Sequence, residues 1–322
     1  MTKGIIFAIL KLEKNKEGKM INYIKFALIT LLVLFAFACH KQKPKSKPTI
    51  VTTIYPYELM VRQIVQDKAD VYCLIPPNSS PHTYSPLPED IVLIDKADLI
   101  FANGLGAEPQ FEKVFKPLGD KVVEASSFIP KAILEYELRT NQKFSFNIKD
   151  EHAHELNPHI WLHPENLIDM ARGFTSHIST IMPEHRKFFE HNLEELVNDI
   201  TNADRNIIKE REKLNSIKII SFHDAFYYFD LRYHIQSFGL IQKSPGQEPT
   251  AQDLEKIAQT IVADHIELLV TEPQLNPKAV QILAKNFNLP IISLDPLGQS
   301  IDAHKVSDLL TLNWDIIYNG LK

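Results

Sequence analysis

Short apolar runs alternate with amphipathic stretches along most of this chain. From Thr49 onward, Ile50–Ile54, Val71–Ile75, Leu99–Ala102 and Lys121–Val123 read as buried strands. Between them, Glu58–Gln66, Pro88–Lys96 and Glu108–Phe115 carry the three- and four-residue spacing of helices. Pro88 suits a helix start, because its ring fixes φ and it has no amide hydrogen to leave unpaired. The alternation returns nearer the C-terminus. Lys218–Phe222, Ser237–Ile241, Ile266–Thr271 and Pro290–Leu294 read as strands; Ala225–Asp230, Thr250–Asp264, Pro277–Phe287 and Asp302–Tyr318 read as helices. Thr250 with Asp253 three residues on is a variant capping box. Such alternation predicts parallel sheets covered on both faces.

A break separates the two series. Residues 140–158 are polar and aperiodic, and they predict a loop. Order returns at Ile160–Leu162, and Glu165–Met182 reads as a helix. From Pro183 to about Leu214 the helical pattern runs without an internal Gly or Pro, with Phe189, Leu193, Leu196, Val197, Ile200, Ile207 and Leu214 on one side. At 1.5 Å per residue it would be roughly 45–50 Å long, enough to join two domains stiffly. The expected fold is α/β with two lobes, each a parallel-sheet sandwich, at residues 49–182 and 215–322. A rigid backbone helix at 183–214 joins them. A chain of 322 residues is an ordinary size for two domains.

The N-terminus adds a topological signal. Lys25 precedes the apolar run Phe26 to Ala38, which ends in Ala36-Phe37-Ala38-Cys39. A basic start, a short apolar core and small residues before a cleavage point describe a secretory signal. The run is about 13 residues, too short to span a bilayer. Cysteine at the cleavage point is the pattern of a bacterial lipoprotein, with Cys39 as the lipidated residue. Residues 1–38 are then a signal peptide whose true start is expected at Met20, and residues 39–48 a proline-punctuated lipid tether. Cys73, the only other cysteine, sits in VYCLI and is expected to be a core thiol.

The apolar fraction, 44%, is that of a globular protein. Beyond residue 38 the chain holds 29 Lys and Arg against 38 Asp and Glu. This acidic balance argues against a nucleic-acid partner, which calls for a basic face.

Four metal-liking side chains stand at the mouths of apolar stretches: His82 in PHTYSP, His159 in NPHIWLHP, His223 in IISFHDAF and Asp295 in IISLDPLG. His82 lies among Pro81, Pro86 and Pro88, and His159 follows Pro158, so both backbones are constrained. His223 and Asp295 end runs that read as buried strands, where open α/β sheets present ligand-binding residues. Three imidazoles and a carboxylate complete a zinc-like coordination sphere. Two come from each lobe, so the cleft between lobes is their expected meeting place. Asp224 is a candidate to orient an imidazole. His152 and His154 in the polar loop read either as a low-affinity collecting site or as incidental. His163 is expected to fill a surface turn, and His185 and His191 to face solvent. The chain lacks HExxH and GxSxG, and NGLG at 103–106 has neither P-loop nor dinucleotide spacing.

In order, the segments SPHTYSPLPED, KADLIFANGLGAEP, NPHIWLHPEN, SFHDAFYYF, EPTAQDLEKI, TEPQLNPKAV and LDPLG resemble the zinc/manganese-type solute-binding lipoproteins of bacterial ABC transporters. The resemblance runs from about Ile50 to the end. It implies two α/β lobes, a rigid helix and a metal buried between them on His82, His159, His223 and Asp295. Zinc-type members have His at the third place and manganese-type members usually Glu, so His223 favours Zn2+ over Mn2+; imidazole chemistry agrees. The chain departs from the family in its reduced loop EHAHE, in lacking cysteine after Cys73, and in WLHP.

The expectation is a monomeric, lipid-anchored carrier outside the cytoplasm, periplasmic or on the cell surface. It would deliver zinc to an ABC-transporter permease with its cytoplasmic ATPase. Affinity should fall as pH drops towards 5, because ligating imidazoles must be deprotonated. The unbroken helix predicts small tilting and loop movement, not a wide hinge closure. The alternatives are a manganese or iron carrier, a zinc hydrolase, which needs an open coordination position, and an adhesin on the same scaffold.

Overall fold

Strands β1 (Thr49–Thr52), β2 (Asp70–Cys73), β3 (Leu99–Ala102) and β4 (Val122–Glu124) form one parallel sheet in the order β2-β1-β3-β4. Strands β5 (Ile217–Ser221), β6 (Ile235–Leu240), β7 (Leu268–Thr271) and β8 (Ile291–Ser293) form a second in the order β6-β5-β7-β8. The computed structural model describes residues 47–130, 156–242 and 246–322. The leader, Cys39, most of the tether, His152 and His154 lie outside the described residues.

Both sheets change direction of winding between their two central strands. There the loops at the carboxyl ends diverge and leave a crevice. In the first sheet β1 pairs with β3 from Ile50↔Leu99 to Thr52↔Phe101; in the second β5 pairs with β7 from Ile219↔Leu268 to Ser221↔Val270. These registers place the residues just after Ser221 and Thr271 side by side.

The helices are α1 (Tyr55–Val65), α2 (Pro88–Lys96), α3 (Glu112–Phe115), α4 (Pro164–Ile181), α5 (Arg186–Arg211), α6 (Tyr227–Arg232), α7 (Ala251–Asp264), α8 (Lys278–Phe287) and α9 (Val306–Gly320). The Thr250 cap forms as expected: its Oγ1 accepts from Asp253 N, and Asp253 Oδ2 accepts from Thr250 N. Other ends differ from the pattern. Pro109 opens a 3-10 turn at Pro109–Phe111, so only Glu112–Phe115 is α-helical. The last helix starts at Val306, because Asp308 Oδ2 accepts from His304 N and Lys305 N and so caps it there.

The long helix begins as a 3-10 turn, Pro183–His185, and is regular over the 26 residues of α5. Its length is therefore about 39 Å, shorter than the pattern suggested. Phe189, Asn192, Leu196, Ile200, Ala203 and Ile207 form its buried stripe. That stripe packs against α1 and α4 of the first lobe and against α9 of the second.

One hydrophobic core runs from the first sheet through these helices to one face of the second sheet, where Ile217, Ile219, Leu268 and Val270 point. The alternate residues Ile220, Phe222 and Leu269 face a smaller core with Ile257, Ile261, Val280 and Leu283, from α7 and α8. The lobes thus share apolar burial, which favours one rigid unit over two swinging ones. Among the described residues no helix is long and apolar enough to cross a membrane.

Candidate metal centre

His82, His159 and His223 converge. One ring nitrogen from each lies within 4.8 Å of the others, and they are the group of three or more metal-liking side chains so placed among the described residues. His82 Nε2 and His159 Nε2 are 3.1 Å apart, and the three ring centroids are 4.8 to 5.3 Å apart. Zinc–nitrogen bonds of about 2.0–2.1 Å in a tetrahedron put neighbouring nitrogens about 3.3 Å apart. The closest pair is near that spacing. A void of about 20 Å³ adjoins the rings, lined also by Trp161, Glu272, Gln274 and Pro296. It suits an ion or a water, not an organic solute. A larger cavity of about 550 Å³, lined by Asn78, Thr83, Gln242 and Glu248, meets it at His82, His223 and Gln274.

Each loop is fixed by its own sequence. The His82 loop follows β2; its carbonyl accepts from Gln110 Nε2 at 2.9 Å. Asp90 accepts from Leu87 N and Tyr84 Oη, which pins the loop to α2. His159 enters the 3-10 turn Ile160–Leu162, and the preceding Pro158 carbonyl accepts from Asn103 Nδ2 at 2.8 Å. Asn103 N and Thr53 Oγ1 in turn donate to buried Glu108, whose burial raises its pKa to about 7. Gly104, at φ 79°, permits the turn that brings Glu108 back to Asn103; a Cβ there would collide with Ser126 Oγ. His223 follows β5, held by Phe222 N donating to Val270 O.

Two of the imidazoles are anchored on their far sides. The Ala107 backbone acts on His82 in the direction of an acceptor, a minor influence beside burial. His159 Nδ1 lies 2.8 Å from Asn157 Oδ1, and His223 Nδ1 lies 3.2 Å from Glu272 Oε1. Acceptors there put the proton on the anchored nitrogen and leave the other lone pair free for a metal. Burial, then the neighbouring His223, lowers the His82 pKa to about 4. Burial, His223 and His82 hold His159 well below the usual value. Burial also acts to lower His223, but the Glu272 carboxylate outweighs it and the pKa is raised.

Asp295 stands outside the three-imidazole group. It is fully buried at the end of β8. Its Oδ1 accepts from Gln274 Nε2 at 2.8 Å and Leu297 N at 2.9 Å, and its Oδ2 from Ser300 N at 2.6 Å. Gln274 lines the small void with the imidazoles, so one side chain links that void to the carboxylate. Asp224 accepts from Asn157 Nδ2, while Glu272 contacts His223. Glu272, Asn157 and Gln274 were not singled out by residue pattern. The signal for Glu272 was present: Thr271-Glu272-Pro273 repeats, after β7, the strand–acid–proline signature of Asp295-Pro296. His163 accepts from Glu165 N and caps α4. Cys73 is a half-buried free thiol pushed up by burial.

Two parallel α/β lobes braced by one helix, with imidazoles gathered where the loops meet, define a solute-binding protein of the metal-carrying class. The chain belongs to the family described as zinc-uptake complex component A, periplasmic, whose model matches residues 50–320. A Thermotoga maritima chain named for metal binding is 32% identical over 302 residues, covering 92% of this chain and 99% of that one. A Streptococcus mitis protein named as the manganese ABC transporter substrate-binding lipoprotein PsaA is 25% identical over 314 residues, covering 94% and 99%. The structure of the periplasmic zinc-binding protein TroA from Treponema pallidum superposes with a TM-score of 0.74 at 24% identity, over 86% of this chain and 99% of that one. It shares the fold. The family consists of solute-binding proteins of ABC transporters that bind divalent metal ions, not of enzymes.

Proposed function

We propose that this chain captures zinc outside the cytoplasm and hands it to an ABC-transporter permease. His82, His159, His223 and Asp295 are the proposed ligands. The observation that carries the reading is the set of three converging imidazoles, two of them, His159 and His223, with the far nitrogen already held by an acceptor. Such a set is preorganised for a borderline-soft cation that favours nitrogen. A carboxylate offers about four acceptor directions, and protein donors take three on Asp295. One remains, so Asp295 would add a single bond and complete a four-coordinate shell. That count suits zinc better than manganese, the ion named for the Streptococcus mitis relative.

Residues 1–38 are the proposed signal peptide, starting at Met20, and Cys39 the lipidated residue that holds the protein at a membrane. Lobes at 49–182 and 215–322, with the helix segment 183–214 between them, and His152 and His154 as a collecting loop complete the reading. Elemental analysis of protein purified without added metal, with competition titration against a zinc chelator, tests it. Wild type should carry about one zinc, and His82→Ala, His159→Ala, His223→Ala and Asp295→Ala should each lose it. Zinc retention by all four would sink the assignment.

A further inference from the structure

Asn157 makes five hydrogen bonds that join one half of the site to the other. Its Oδ1 accepts from His159 N at 2.9 Å and faces His159 Nδ1 at 2.8 Å. Its Nδ2 donates to the Asp224 carbonyl at 2.8 Å and to Asp224 Oδ2 at 3.0 Å. Its own carbonyl accepts from Tyr228 Oη at 2.8 Å. His159 belongs to the first lobe's loops. Asp224 adjoins His223, and Tyr228 lies in α6, both in the second lobe. One amide therefore fixes the tautomer of one imidazole and the backbone beside another, 64 residues further along the chain.

We propose that Asn157 is the positioning residue that couples the two half-sites and sets how fast the metal leaves. The inference rests on the reading of His159 and His223 as zinc ligands. Separating the lobes enough to free an ion must break the bonds from Asn157 to Asp224 and from Tyr228 to Asn157. Until they break, His159 and His223 stay at mutual reach. An ion that loses one nitrogen is then recaptured before it loses a second. With the strut cut, the loops move independently and that recapture fails.

An amide–carboxylate exchange separates this role from general packing. Asn157→Asp keeps the acceptor for His159 but removes the donor to Asp224 and sets two carboxylates together. Asp224→Asn alone keeps an acceptor for Asn157. In the double variant Asn157→Asp/Asp224→Asn the side-chain donor and acceptor change places and the net charge near the ion is that of wild type, while the bond to the Asp224 carbonyl stays lost. The experiment loads the full chain with zinc and follows its capture by excess chelator in a stopped-flow instrument.

Asn157→Asp should release zinc at least about tenfold faster, within the range known for partners of metal-ligating histidines. Asp224→Asn should stay within about threefold of wild type, and the double variant should release zinc more slowly than Asn157→Asp, since one of the two lost bonds is regained. A double variant no slower than Asn157→Asp overturns the coupling, as does an Asn157→Asp that releases at the wild-type rate. Tyr228→Phe probes the same strut should Asn157→Asp fail to fold; it should also speed release, and an unchanged rate overturns the proposal. His159→Ala and His223→Ala run alongside. If they keep wild-type affinity, the ligand reading falls first and the coupling with it. If they lose zinc and the exchange fails to rescue, the coupling alone is wrong.

Discussion

Glu272 Oε1 lies 3.2 Å from His223 Nδ1, and Oε2 lies 3.4 Å from the same nitrogen. The pair is nearly buried, with side chains 5% and 12% exposed, so little water competes for the contact. It places the imidazole proton on Nδ1 and turns the Nε2 lone pair free. Glu272→Gln keeps an acceptor and drops the charge, whereas Glu272→Leu removes both. Zinc affinity should fall by about 10–100-fold in Glu272→Leu and by less in Glu272→Gln. Competition titration measures both. Equal affinities in the three proteins would mean that something else orients His223.

Proton competition for the site should fall on one histidine. Burial and the neighbouring imidazole lower His82 to about 4 and hold His159 well below the ordinary value, so both are neutral throughout the useful pH range. His223 is raised by Glu272 and protonates first. Bound zinc needs all three neutral. Above the raised His223 value the affinity should be flat. Below it, down to about pH 4, affinity should drop about tenfold per pH unit, the signature of one proton displaced. Three ordinary imidazoles would steepen towards three protons below about pH 6.5. In Glu272→Leu the fall should begin at lower pH, because burial then acts on His223 without the carboxylate. Calorimetry in buffers of different ionisation heat counts the protons directly.

Gln274 restricts what Asp295 can offer a metal. Its amide and the Leu297 and Ser300 amides occupy three acceptor directions of that carboxylate. Gln274→Leu opens one of them and permits a two-oxygen contact. Manganese gains more from added oxygen than zinc does. The zinc-over-manganese affinity ratio should therefore narrow by about tenfold, or about 1.4 kcal/mol. Parallel competition titrations with the two ions give the ratio; a constant ratio would remove Gln274 from any account of selectivity.

The strands and the three histidines were legible because each depends on local order. Leu99–Ala102 is a bounded apolar run, and His159 stands beside a proline. What remained hidden depends on registers between distant segments. Glu272 meets His223 across 49 residues because β5 and β7 are neighbours with Ser221 opposite Val270. Asn157 meets Asp224 across 67 because two lobes pack. Neither register leaves a period in the sequence. Helix ends misled for a related reason: Asp308 reaches back to cap His304 and Lys305, while the apolar pattern continues upstream of them.

The brace can be weakened without touching the site. Asn192, 4% exposed on α5, donates its Nδ2 to the Ile64 carbonyl at 2.8 Å. Ile64 is in the last turn of α1, where carbonyls lack partners within their own helix. Asn192→Leu has similar volume but cannot donate, so that buried carbonyl loses its side-chain donor. The cost should be about 1–3 kcal/mol. At about 2–4 °C per kcal/mol for a chain of this kind, the melting temperature should drop several degrees. The rise in melting temperature on adding saturating zinc depends on ligand affinity and concentration. It should match wild type, because Asn192 and Ile64 are separate from the three histidine loops. Thermal melts with and without zinc read both quantities. A smaller zinc-induced rise in Asn192→Leu would show that the helix sets the site's geometry as well as its rigidity.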